Sequence, residues 1–123
     1  MKKNSIFVIQ KHDATHLHYD MRLEMNGVLK SWAIPKTPPL EKGMKRLAIQ
    51  TEDHDIEYAD FEGVIIEENK KTSSVEIWDK GTFEIEKKKE NEIVIHINGI
   101  KLNGRYCLIR FKDQEKNWLF FKA

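Results

Sequence analysis

The chain has 123 residues, 21 of them basic and 20 acidic, for a formal charge of +1. That length fits a single domain, 1–123, able to bury roughly two thirds of its unfolded surface. With 40% hydrophobic and 33% charged residues it reads as a soluble globular chain, not a disordered one. Near-neutral charge excludes a protein held to duplex nucleic acid by an overall positive field, so contacts with nucleic acid are expected at a strand end or a single phosphate. The lone cysteine, Cys107, alternates with Ile109 and Phe111 and reads as a buried apolar residue in a reducing compartment. The apolar run Ile6 to Ile9 is too short for a signal peptide, and nothing approaches the length of a membrane span. A monomeric cytoplasmic domain is expected.

Ser5 to Gln10 predicts a first strand. Lys11 to Glu24, KHDATHLHYDMRLE, holds the densest chemistry. From His16 on it alternates strictly, with His16, His18, Asp20, Arg22 and Glu24 on one parity and Leu17, Tyr19, Met21, Leu23 and Met25 on the other. This is a period-two strand with one apolar face and one face of metal-ligand and anion-binding groups. His18 and Asp20 then project to one side about 7 Å apart at the backbone, from which an imidazole and a carboxylate converge. His12 lies six residues before His18, about 20 Å along one extended strand or about 240° around a helix. It joins them only if the chain turns at Asp13, Ala14 and Thr15. Imidazole with carboxylate suits Mn²⁺, Zn²⁺ or Fe²⁺, and spacing does not choose among them. His16 has no evident geometric role and reads as structural. Arg22, next on the ligand face, offers a fork for phosphate oxygens; a salt bridge to Glu24 or to a cross-strand carboxylate accounts for it equally well.

Asn26-Gly27 is a hairpin signal, and Val28 to Ile34 returns as a strand before Pro35, Pro38 and Pro39 interrupt pairing. Arg46 to His54 predicts another strand, with Leu47 and Ile49 on its apolar side and Arg46, Gln50, Glu52 and His54 on the other. Two strands with polar inner and apolar outer faces suggest one shared concave site. His54 fits a general acid, a hydrogen-bond donor to a transition state or a fourth metal ligand; Tyr58 fits a hydrogen-bonding or a packing role. Lys36 and Arg46 are ordinary surface residues unless the fold brings them to the same place. Phe61 to Ile66, Ser73 to Trp78, Thr82 to Glu86, Glu92 to Ile97, Arg105 to Lys112 and Trp118 to Lys122 complete the strands. Their separators include Lys80-Gly81, Asn98-Gly99 and Asn103-Gly104. Glu86 to Glu92 reads as a solvated hairpin tip. Short strands without helical periodicity predict an all-β fold, a single compact antiparallel β-barrel or a sandwich.

Three functional classes fit these residues. The first is an enzyme with a metal site beside a phosphate site. The second is a non-haem Fe(II) oxygenase-like barrel, with His54 as the distal ligand and Arg22 or Arg46 binding a carboxylate. The third is a non-catalytic module that binds nucleic-acid ends. HDATHLHYDMRLE, LKSWAIPK, KRLAIQTEDHDIEYADFEGVI, WDKGTFE and GRYCLIRFKDQEKNWLFFK, in that order, resemble the 3′-phosphoesterase module of bacterial DNA ligase D. The resemblance implies a compact β-barrel with a concave polar face, acting with Mn²⁺ on 3′ ends of nucleic acid in functional partnership with ligase and polymerase; Zn²⁺, Co²⁺ or another divalent ion is the alternative. It also implies removal of a 3′-phosphate and resection of a 3′-terminal ribonucleotide to leave 3′-OH. On the matching positions, His12, His18 and Asp20 are implied as metal ligands. Arg22, Lys36, Arg46 and His54 are implied as phosphate-handling residues, with Tyr58 and Glu52 at functional positions and Gln10 in the pocket. The chain departs from the family pattern at Ile66 to Thr72, where a Gly-rich segment is usual. It also begins eleven residues before His12, and the missing N-terminal arm puts the diesterase activity in doubt.

Overall fold

Alternation in sequence becomes alternation in burial. The computed structural model describes residues 5–66 and 72–123, so the stretch expected to change the mouth of the site lies largely outside the described residues. The strands are β1 (Ser5–Asp13), β2 (His18–Met25), β3 (Val28–Ile34), β4 (Lys45–His54), β5 (Gly63–Ile66), β6 (Thr72–Lys89), β7 (Glu92–Asn98), β8 (Asn103–Arg110) and β9 (Asn117–Lys122), with a 3₁₀ turn at Ile56–Asp60. Eight of them close in the order β1-β2-β3-β4-β9-β8-β7-β6, with β6 returning to pair with β1, and β5 adds to the far half of β6 outside the ring. The expected antiparallel β-barrel is therefore what the chain forms. Among the described residues no helix is long and apolar enough to cross a membrane.

The interior is a single apolar cluster fed by every strand of the ring. Phe7 and Ile9, then Tyr19, Met21, Leu23 and Met25, meet Trp32, Ala48, Phe83, Ile95, Tyr106, Leu108, Trp118 and Phe120 there. Each fully buried large side chain contributes about 1.5–3 kcal/mol. Asn26 and Gly27 both have positive φ, 53° and 82°, the geometry of the tight hairpin their pairing predicted. Cys107 is buried and unpaired, and burial pushes its thiol up.

Three expectations need correction. The polar face of β2 was expected to look inward, but its apolar set, Tyr19, Met21, Leu23 and Met25, fills the barrel and His18, Asp20 and Arg22 lie on the outer wall. Lys80-Gly81 was expected to separate two strands, yet β6 runs unbroken through it. Gly81 is there because a Cβ would lie 2.1 Å from the carbonyl oxygen of Asn98 on the neighbouring strand. The third correction concerns the faces of β4. Register pairs Trp32 with Gln50 and Ala33 with Ile49, so Arg46, Ala48 and Gln50 share the inward parity while Leu47 and Ile49 share the outer wall with Asp20. Between the pairs Ser31–Thr51 and Leu29–His54, one residue of β3 faces two of β4, Glu52 and Asp53. This bulge resets the parity and returns His54 to the outer wall.

One buried carboxylate fastens the β7–β8 connection. Asp79 is 2% exposed and accepts backbone N–H groups from Lys80 (2.9 Å), Ile100 (2.9 Å), Lys101 (3.2 Å) and Leu102 (2.8 Å). Gly99 has no room for a side chain, since a Cβ would fall 2.6 Å from Asp79 Oδ2. Hydrogen bonds to a charged acceptor are worth about 1.5–3 kcal/mol each, and the orphaned donors cost more when buried. Asp79→Ala is therefore expected to destabilise the barrel by about 3 kcal/mol or more; an unchanged urea midpoint would contradict this role.

Candidate active site

The hairpin of β1 and β2 brings the three candidate ligands together. Register places His12 directly opposite His18 and Gln10 opposite Asp20, so the turn that His12 required does form after Asp13. The ligand atoms of His12, His18 and Asp20 lie within 4.8 Å of one another. Asp20 Oδ2 is 3.6 Å from His12 Nδ1 and 3.3 Å from His18 Nε2, and the two rings meet edge to face at 4.7 Å between centroids.

The far nitrogens test whether this set fits a cation. His18 Nδ1 is 3.0 Å from the carbonyl oxygen of His16 and donates to it, which leaves the lone pair of Nε2 facing Asp20. His12 Nε2 is held by Ser73 Oγ at 3.1 Å, which turns Nδ1 to the same centre. Metal-binding histidines are oriented in this way, each with its outer nitrogen hydrogen-bonded. The donor set therefore fits a divalent ion of the Mn²⁺ or Zn²⁺ kind. When the ring is protonated Nε2–H also donates to Asp20, and that hydrogen bond, opposed by burial, raises the His18 pKa above its ordinary value. Burial pushes Asp20 up, but the His18 hydrogen bond and the charges of His18, Arg22 and His12 outweigh it, and the carboxyl ends below its usual range. His16 is exposed, and its carbonyl accepts from His18.

Beside this cradle Arg22 is 4% exposed. Its Nε donates to Gln10 Oε1 at 2.7 Å, and Nη1 donates to Ser31 Oγ at 2.8 Å and to His54 Nδ1 at 3.1 Å. Burial lowers the Arg22 pKa, against the pull of Asp20 and Tyr58, yet a guanidinium stays charged. Nη2, 3.6 Å from Asp20 Oδ2, has no hydrogen-bond partner among the described residues, and it lies on the side of the cradle. Because Arg22 has only hydrogens to present, His54 Nδ1 is the acceptor and the ring proton sits on Nε2. The 3.1 Å approach of Glu52 O to the same Nδ1 is then a close contact only.

Tyr58 roofs the pair. Its ring lies 4.8 Å from the Arg22 guanidinium carbon and 4.7 Å from the His54 ring. Gln10, wholly buried, anchors the 3₁₀ segment by donating Nε2 to the carbonyls of Tyr58 (2.8 Å) and Phe61 (3.2 Å). Val8, Leu29 and Ala59 pack beneath that segment with Ile6, Ile56 and Ile77, a small second core on the outside of the barrel. The concavity expected of the site is thus the angle between barrel wall and 3₁₀ segment.

The remaining sequence candidates lie further out. Arg46 donates Nε to the carbonyl of Thr37 at 2.7 Å. It shares with Lys36, Pro35, Lys45 and Leu47 a cavity of about 220 Å³ past the end of β3, where Ile34 pairs with Tyr19. Neither Lys36 nor Arg46 bonds to the cradle. The Glu52 side chain is exposed on the β4 bulge. Sequence reasoning missed two residues. Ser31 is wholly buried, and its place opposite Arg22 was recoverable once the hairpin register was fixed. Ser73 comes from a distant strand and carried no local signal. The oxygenase-like reading needed His54 as a ligand, and His54 is turned to Arg22 instead.

Fold and site define a β-barrel domain whose outer wall carries a His-His-Asp cation cradle against a buried, charged arginine. The family model of the DNA ligase D 3′-phosphoesterase domain matches residues 10–110, and the chain belongs to that family. It is 43% identical over 124 residues, 95% of the chain, to the multifunctional non-homologous end joining protein LigD of Pseudomonas aeruginosa. It is 47% identical over 108 residues to that of Mycobacterium bovis and 44% identical over 127 to that of Mycolicibacterium smegmatis. These relatives are far longer, and the matched region is 15%, 14% and 16% of their respective lengths.

The cradle makes a direct prediction. Calorimetric titration with Mn²⁺ is expected to show one site, abolished in Asp20→Ala. Ser73→Ala, which removes only an outer hydrogen bond, should weaken the site by about 10-fold. Equal affinity in all three proteins would contradict the assignment.

Proposed function

We propose that this domain is a divalent-metal-dependent 3′-end phosphoesterase. In this reading it removes a 3′-phosphate from DNA or RNA primer ends to leave 3′-OH, and it resects a 3′-terminal ribonucleotide through the diester form of the same chemistry. The observation that carries the reading is the Nη2 of a buried Arg22, without a hydrogen bond among the described residues and 3.6 Å from Asp20 of the cation cradle, since a guanidinium fork beside a bound cation suits a phosphate. A Mn²⁺-type ion, bound by His12, His18 and Asp20, would supply Lewis-acid neutralisation of phosphate charge.

The protein groups have separable tasks. Arg22 holds one phosphate oxygen through Nη2 without reorganising, because Gln10, Ser31 and His54 fix its other donors. His54 presents Nε2–H toward the leaving oxygen, as hydrogen-bond donor or general acid. Tyr58 and the 3₁₀ segment exclude water from one flank. Lys36 and Arg46 bind the approaching strand from their cavity beyond β3, and Glu52 meets it from the β4 bulge. The expected partners are nucleic-acid 3′ ends, with ligase and polymerase acting on the product, and the expected compartment is the cytoplasm.

The test uses a primer–template ending in 3′-phosphate and a second ending in one ribonucleotide, with Mn²⁺. Arg22→Ala is expected to cost about 10²-fold in rate, and His54→Ala should also slow the reaction. Tight binding of the phosphorylated primer without product would favour the non-catalytic reading and overturn this one.

A further inference from the structure

Past Arg22 the outer wall continues across two more strands. Register sets Asp20, Ala33 and Ile49 in one cross-strand row and Arg22, Ser31 and Thr51 in the next. At about 4.8 Å per strand, Ile49 and Thr51 lie about 10 Å from the Asp20–Arg22 line. There a cleft of about 580 Å³ opens, lined by Ile49, Gln50, Thr51, Glu52, Glu115 and Lys116. Its far wall is fixed, for Gln50 N donates to the carbonyl of Lys116 at 2.7 Å and Trp118 Nε1 donates to Gln50 Oε1 at 3.1 Å. Half-buried Ile49 is the apolar floor; exposed Thr51, Glu52, Glu115 and Lys116 form a polar rim. One apolar surface with a few converging polar groups, in a volume of this size, is the make-up of a small-ligand subsite.

We propose that this cleft receives the 3′-terminal nucleoside of the substrate strand. Its sugar and base lie against Ile49, and the Thr51 hydroxyl hydrogen-bonds to them. The Lys116 ammonium meets the next backbone phosphate. The carboxylates of Glu52 and Glu115 accept from base N–H groups and repel phosphate, which confines phosphate to the Arg22 and Lys116 ends. The assignment rests on the phosphoesterase reading and adds to it a determinant of which esters are accepted: a nucleoside 3′-phosphate gains contacts that a bare phosphate lacks.

Two probes separate the claims, inorganic phosphate and thymidine 3′-monophosphate, each titrated without added metal into the isotopically labelled full chain and followed by NMR. Phosphate is expected to move the Arg22 side-chain and His54 resonances alone. The nucleotide should move these and also the amides of Ile49, Thr51 and Lys116. Ile49→Glu should weaken the nucleotide about 10-fold, the equivalent of about 1.4 kcal/mol, and phosphate less than about 2-fold. With a third ligand, a dinucleotide 3′-phosphate, Lys116→Ala, remote from the core, should weaken binding more than it does for the mononucleotide; equal weakening overturns the placing of the next phosphate at Lys116. Identical shifts from both probes, or equal weakening of both by Ile49→Glu, overturn the cleft assignment and leave the phosphoesterase reading standing. If neither probe moves Arg22, the phosphate reading itself fails and the cleft assignment with it.

Discussion

A charged guanidinium buried in the barrel wall governs the rest of the site. Arg22 cannot shed its charge, and a buried charge left without partners costs several kcal/mol, so the surrounding strands must supply acceptors. They do so one strand at a time: Gln10 from β1, Ser31 from β3 and His54 from β4. Each of these is in turn committed. Gln10 holds the 3₁₀ segment, Ser31 donates to the carbonyl of Leu29 at 3.1 Å, and His54 takes the tautomer that Arg22 dictates. The outcome is preorganisation, in which donors stand in place before any ligand arrives.

That requirement also explains why the site is on the outside. A barrel of eight strands has an interior just wide enough to be filled by its own side chains, and here aromatic and aliphatic residues fill it. Polar chemistry is left with the outer wall, where it needs a second layer to escape full solvation. The 3₁₀ segment and its small apolar cluster provide that layer, and β6, continuing beyond the ring to carry Ser73, provides another.

Much of this was legible in the sequence. The period-two pattern from His16 to Met25 named the strand, its two faces and the row His18–Asp20–Arg22. The separation of His12 from His18 forced a turn, and it is present. Period two does not say which face looks into a barrel, because alternation is the same read from either side; this is why inside and outside were exchanged. Parity also assumes an unbroken strand. In β4 Leu47 and Ile49 do lie on the outer face, but the bulge divides the polar residues expected to share one side, leaving Arg46 and Gln50 on the inward parity and His54 on the wall of Asp20. The continuity of β6 was hidden because a glycine pressed against a neighbouring carbonyl looks, in sequence, like a glycine in a turn. Ser73 was illegible because a hydrogen bond to a serine 61 residues away leaves no periodic trace.

The β4 bulge has a further consequence, which concerns chain length and not chemistry. Every side chain around Arg22 tolerates or resists substitution on its own merits, but the position of His54 depends on how the strand takes up its extra residue. Removing one residue at Glu52–Asp53 would abolish the bulge and leave His54 opposite Leu29, still on the outer wall. What would turn the ring to the apolar side is the same strand run regularly at its full length, with Glu52 and Asp53 each taking a ladder position. The extra residue is therefore compatible with the site only as a bulge, and a barrel shorter by one residue at that point keeps its histidine on the same wall.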